Sequence, residues 1–268
     1  MNNGILVFLY GSQRAMNLLI TEKDRNESIS QWVYTVLRKN IINLHLKPGL
    51  SVSESMIAQL LDTSRTPVRE SFIKLAEDGL VEVFSQKGSC ISLIDIDQAE
   101  EARFARLVLE KAVIKEACQS FLEDCLFDLN SNLEMQKICK RERTYEKMLD
   151  LDDNFHRIIY RGCRKERLWD HQKKIDYNYD RLRAIRLSSP FPWDEIIEEH
   201  NHIGELIKKG DGSAVDRVVE KHLTRSLFDR LVTKYPEYFV QRRRDNQPVT
   251  QDRAANAGVK NAVVADSF

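Results

Sequence analysis

The segment "SRTPVRESFIKLAEDGLV", Ser64 to Val81, constrains this chain more than any other. Thr66 is a good N-cap, and Pro67 stands where a missing backbone N–H is not needed, so a helix is expected to start there. The helical pattern runs to about Asp78, and Gly79 supplies the C-terminal stop. Such a helix carries Arg65 and Arg69 at its positive end, where free N–H groups and the dipole already favour an anion.

The flanking segments give that helix a context. From Ser28, "SISQWVYTVLRKNIINLHL" reads as an amphipathic helix that "KPG", Lys47 to Gly49, stops. A shorter helix follows over "MIAQLL", its start marked by "SVSE", with either Ser51 and Glu54 as a capping box or Ser53 as the cap. The turn "DTS" then leads into the third helix. Beyond Gly79, the β-prone runs "LVEVF" and "SCISLI" flank the turn chemistry of "SQKG" and predict a hairpin. Three helices with a tight turn before the third, then a two-stranded wing, make a winged helix-turn-helix over residues 27–94. In such a module the third helix enters the major groove by its N-terminus. This places Arg65, Thr66 and Arg69 at DNA, with Lys87 and Gly88 at the wing tip. The alternative for the two arginines is solvation, or pairing with Glu70.

Composition bounds the rest. Basic and acidic residues number 41 each, so no bulk field draws the protein to nucleic acid or a membrane, and any such site must be local. The five cysteines are odd in number and lack CxxC spacing, which speaks against a disulfide framework or a zinc knuckle and for a reducing cytoplasm. The early apolar run "ILVFLY" is too short to span a bilayer and has no basic stretch before it. Six prolines, ten glycines and repeated 3.6-residue patterning indicate a soluble, mainly α protein. Residues 1–26 and 241–268 show no sustained period and read as tails, while residues 95–240 read as a bundle of about six helices.

Within that bundle, "TYEKMLDLDDNFHRIIYR" puts Tyr145, Met148, Leu149, Phe155 and Ile159 on one helical face, with Asp152 and His156 in its middle. An ionised carboxylate in an apolar stripe needs a cation or strong donors, and an Asp/His pair at i, i+4 is one half of a metal site. His200 lies in the stripe of Ile196, Ile197, Ile203 and Ile207, whereas His202 projects about 200° away. The stripe of Val215, Val218 and Val219 continues onto His222. For any single histidine a hydrogen-bonded core position would suffice; together with Asp152 the three form a ligand set for zinc first, with nickel or manganese as alternatives. His45 and His171 are read as ordinary histidines.

"PGLSVSESMIAQLLDTSRTPVRESFIKLAEDGLVEV" resembles the DNA-binding domain of the GntR family of bacterial transcription regulators. The resemblance implies DNA contacts from Ser64, Arg65, Thr66 and Arg69, with Gly88 at the wing tip. The chain departs from the family pattern at Ser55, where an arginine is common, at Asp62, which replaces the usual turn glycine, and at Thr63, which replaces an apolar residue. Residues 95 to 235 resemble the FCD effector domain of the FadR subgroup, through "DDNFH", the "EEH" ending in His200, and "GDGSAVDRVVEKHL". That likeness implies Asp152, His156, His200 and His222 as ligands of a divalent transition metal. It further implies a sugar acid or other small carboxylate as effector, met by Arg106, with Arg181 as a second pocket candidate. Arg106 also stands four residues before Glu110, the spacing of a simple helix pair.

The reading that joins these features is a homodimeric regulator, a repressor as is commoner in the family, whose grip on double-stranded operator DNA responds to a metal-bound carboxylate. Two others compete with it. A metal-dependent hydrolase fused to a helix-turn-helix would need an open coordination position and a general base, for which only Glu110 and Glu199 could be nominated. A helix-turn-helix serving protein contacts alone would ignore DNA.

Overall fold

The computed structural model describes residues 5–9, 16–84, 88–144, 147–187, 193–224 and 226–240. Its N-terminal part is a winged helix-turn-helix. Helix α1 (Ile29–Ile42) starts at Ser28, whose Oγ accepts from the Gln31 N–H at 3.1 Å. It ends at Ile42, short of the expected Pro-Gly stop, because Leu44 turns left-handed (φ 62°) and packs against two apolar clusters at once. Helix α2 (Glu54–Leu60) is capped by Ser53, whose Oγ accepts from the Met56 N–H at 3.2 Å, so Ser53 and not Ser51 is the cap. Helix α3 (Arg65–Glu77) begins earlier than expected: Ser64 is the extended N-cap residue, and Thr66 and Pro67 lie in the first turn. Pro67 is tolerated there because N–H groups of the first turn have no intrahelical acceptor. Asp62, where the family usually has glycine, is left-handed at φ 47°.

A hairpin and a short strand were not expected. Strands β1 (Ile5–Leu9) and β2 (Met16–Ile20) pair antiparallel, which corrects the reading of residues 1–26 as a tail. Leu18 is fully buried, and the buried Asn40 on α1 docks the strand by accepting from the Leu19 N–H (2.8 Å) and donating to the Leu19 carbonyl (2.9 Å). Both strands lack alternation, so no period-2 signal marked them. Strand β3 (Ser51–Val52) joins the wing strands β4 (Val81–Phe84) and β5 (Gly88–Ile91) in a sheet of order β3-β5-β4. Val33, Leu37 and Ile41 of α1, Ile57 of α2, and Val68, Phe72 and Leu75 of α3 fill the core beneath.

Eight helices follow among the described residues, not six: α4 (Ile96–Gln119), α5 (Glu123–Glu142), α6 (Met148–Gly162), α7 (Glu166–Gln172), α8 (Tyr177–Leu187), α9 (Trp193–Lys209), α10 (Val215–His222) and α11 (Ser226–Lys234). Short helices account for the excess, α7 and α10 having seven and eight residues. The bundle grips the winged helix-turn-helix through α8. Arg181, fully buried, donates to the carbonyls of Ser92 (2.7 Å) and Leu93 (3.3 Å), which link β5 to α4. Arg38 of α1 donates to the Lys173 carbonyl at 3.2 Å. Residues 241–268 lie outside the described residues, as does Tyr145.

Candidate functional site

Helix α6 turns its apolar face inward, and Asp152 and His156, one turn apart on that face, go with it. His200 is carried in by the stripe of α9 and His222 by that of α10. All four are buried, and one ligand atom from each lies within 4.8 Å of the others. The Nε2 atoms of His156 and His222 are 3.3 Å apart, and His200 Nε2 is 3.5 Å from Asp152 Oδ1. His202 is exposed, as expected, and so is His171.

The other ring nitrogen of each histidine faces an oxygen. Nδ1 of His156 lies 3.0 Å from Glu110 Oε1, that of His200 2.8 Å from Gln136 Oε1, and that of His222 3.1 Å from Glu199 Oε2. The direction of the Gln136 amide is fixed, since its Nε2 donates to Asn132 Oδ1 (2.7 Å) while Asn132 Nδ2 donates to the Leu151 carbonyl, which can only accept. Nδ1 of His200 and of His222 therefore carries the hydrogen, and their Nε2 atoms turn a lone pair inward, whereas His156 Nδ1 lies beside Glu110 without a hydrogen-bond partner. His156 Nε2 faces the His222 lone pair across 3.3 Å, and His200 Nε2 is buried without a hydrogen-bond partner. A cation among the four resolves both, and three imidazoles with one carboxylate are borderline donors that fit a first-row divalent ion. Burial would raise the Asp152 pKa, but Arg183 and His200 hold it well below the usual carboxylate range. Burial lowers His156 to about 4, against the pull of Glu110. The cluster thus combines an anionic carboxylate with imidazoles at His156 and His200 that burial keeps neutral, the protonation states that ligation needs.

Arginines border the cluster. Arg106 is buried, with Nε donating to Glu110 Oε1 at 2.6 Å, so the simple helix pair exists. Its Nη2 nevertheless points on, 3.9 Å from Asp152 Oδ2 and without a hydrogen-bond partner. Arg183 pairs with Asp152 and reaches Asp153 (2.7 Å) and Asp180 (2.6 Å). Arg106, Asp152, Tyr179, Arg183, Arg186 and His222 line a cavity of about 20 Å³, room for a water or an ion. Arg181 is absent from this wall. Two residues along a helix is about 200°, so Arg183 faces the cavity while Arg181 faces the interdomain link, which corrects the choice of Arg181 as an effector contact. A larger cleft of about 510 Å³ lies between α1 and α6 to α8 and holds none of the four candidate ligands. Gln136 and Arg183 were missed as functional residues, and Glu199 was weighed only as a general base. The trace of Gln136 was a polar residue on the Leu129 and Leu133 face of α5.

At the other end of the molecule, Ser64, Arg65, Thr66 and Arg69 are all exposed around the start of α3. Both arginines are paired, but with Glu54 of α2 and not with Glu70: Arg69 Nε lies 3.0 Å from Glu54 Oε1, and Arg65 Nη2 3.6 Å from Oε2. Gly88 opens β5 at φ 88°, a conformation that favours glycine. Lys87 lies outside the described residues.

Comparison with known proteins agrees with both halves. Residues 29–91 match the family "Bacterial regulatory proteins, gntR family", and residues 101–225 match the FCD domain. The HTH-type transcriptional repressor RspR of Escherichia coli K12 is 31% identical over 203 residues, covering 76% of this chain and 89% of that one. The gluconate operon transcriptional repressor of Bacillus licheniformis is 27% identical over 149 residues, 55% of this chain and 61% of that protein. In fold, the chain is similar to E. coli McbR/YncC, with a TM-score of 0.66 at 19% identity, covering 78% of this chain and 99% of the other. A GntR regulator from Rhodococcus sp. RHA1 gives 0.63 at 21% identity, covering 76% and 98%.

Proposed function

The chain belongs to the gntR family of bacterial regulatory proteins and carries an FCD domain, and on that premise we propose that it is a repressor controlled by a small acid bound at a metal centre. Its relatives are DNA-binding transcriptional regulators, not enzymes. The observation that carries the metal is the convergence of three buried imidazoles and the Asp152 carboxylate, with Nδ1 of His200 and of His222 held from behind. Asp152, His156, His200 and His222 would hold the ion, zinc first, and the ion would supply a Lewis-acid centre for oxygen donors. Arg106, with its spare Nη2, and Arg183 would meet the carboxylate of the effector. The cavity has room for a water or an ion, so an acid must displace Arg183 or Arg186 to reach it.

The hydrolase alternative is disfavoured, since Glu110 accepts from Arg106 and Glu199 is engaged with His222. On the DNA side, Ser64, Arg65, Thr66 and Arg69, with Gly88 and Lys87 of the wing, would face the groove and the phosphates. Homodimerisation belongs to the same reading, and Phe104 and Val108, exposed on one face of α4, offer apolar surface for it. Described helices are not long and apolar enough to cross a membrane. This fits the cytoplasmic placement that the reading requires.

Elemental analysis after controlled loading with zinc tests the centre. About one ion per chain is expected for the wild type and for His202→Ala, and much less for Asp152→Ala and His222→Ala. Equal loading of all four would refute the site.

A further inference from the structure

One carboxylate serves both arginines at the start of α3. Arg69 meets Glu54 with two parallel bonds, Nε to Oε1 at 3.0 Å and Nη2 to Oε2 at 3.2 Å, while Arg65 Nη2 lies 3.6 Å from the same Oε2. The acceptor is the more fixed partner: Glu54 is 23% exposed and opens α2 directly after its Ser53 cap, whereas each arginine side chain is 66% exposed. A fork-to-fork pair occupies the Nε edge of a guanidinium and leaves its Nη1 edge free. Arg69 therefore offers an oriented outer edge, with part of its rotamer freedom already given up.

We propose that Glu54 is a specificity-determining positioning residue of the DNA-binding module, holding Arg69 for a base edge and withholding both arginines from phosphate. This rests on the reading of α3 as the groove-entering helix. A guanine can be met by the free Nη edge while the carboxylate keeps the other. A phosphate must instead approach a carboxylate of its own sign and compete for the same guanidinium groups, so Glu54 disfavours contacts that carry no sequence information. In water an exposed pair of this kind is weak. Its effect on DNA lies in which acceptor it permits.

The test uses the full chain and two duplexes, one selected by the wild type from a random-sequence library and one of random sequence, titrated across salt. Glu54→Gln is expected to bind the random duplex more tightly at low salt, with a salt slope steeper by about one for each additional phosphate neutralised. It should bind the selected duplex no better, so the ratio of the two affinities falls about tenfold, the size of one bidentate base contact. Glu54→Asp keeps the charge at the start of α2 but withdraws the carboxylate by one methylene. It is expected to lose part of the ratio with little change in slope, and it carries the test if the Gln variant folds poorly. Ratios equal to wild type in either folded variant, while Arg69→Ala loses the selected duplex, would overturn the role of Glu54 and leave the groove reading standing. Wild-type binding by Arg69→Ala, or a library that yields no consensus, would instead remove the groove reading.

Discussion

Asp176 is fully buried beside Asp180, with Oδ1 unpartnered and Oδ2 accepting from Gln172 Nε2 at 3.3 Å. Burial, and then the Asp180 charge, push its pKa up to about 7, against the pull of Arg106 and Lys173. A carboxyl that keeps its proton in the native state above the unfolded value of 3.8 stabilises the fold fully below that value. That contribution is lost as pH rises toward 7. Asp176→Asn keeps the shape and the neutral state, so it is expected to match wild type near pH 4 and exceed it at pH 8 by about 1 kcal/mol or more. Urea unfolding at the two pH values checks this; a pH-independent difference would show that the proton is not the cause. No sequence pattern marked Asp176, because its pKa comes first from burial, which only the packing around the turn before α8 imposes.

Among the elements, the legible ones were those whose side chains repeat with the period of their own backbone. The stripe of α6 carried Asp152 and His156 inward, and those of α9 and α10 carried His200 and His222, so the four candidate residues could be brought to one place from phase alone. Phase gives the face of a helix but not what meets it. Arg181 and Arg183 therefore could not be assigned, since both faces of α8 are buried. The hairpin was hidden for a different reason: β2 is held by a side chain from α1, a contact twenty-one residues away. Asn40 makes three hydrogen bonds, two to the Leu19 backbone and one to the Val36 carbonyl at 2.7 Å. Asn40→Ala is expected to cost about 1–3 kcal/mol and to open the chain before Thr21 to protease, while α1 stays folded. Limited proteolysis beside circular dichroism checks this, and an unchanged cleavage pattern would deny Asn40 its docking role.

At the scale of the whole molecule, α8 has one arginine toward the candidate metal centre and another toward the DNA-binding module. Arg181 is held in a fully buried place, and burial lowers its pKa to about 10, so it remains charged at neutral pH. Hydrogen bonds from a charged donor are the stronger kind. Arg181→Ala leaves the Ser92 and Leu93 carbonyls without it and is expected to lower stability by about 3 kcal/mol. Calorimetry should then show the DNA-binding module melting ahead of the bundle; a single transition at the wild-type temperature would mean that the joint lies elsewhere. The choice of acceptor has a consequence for descent. A guanidinium that grips main-chain oxygens makes no bond to the side chains at positions 92 and 93, so this part of the socket would survive the exchange of one reading head for another. Lineages sharing this socket would be free to diversify their targets while inheriting the same helical domain.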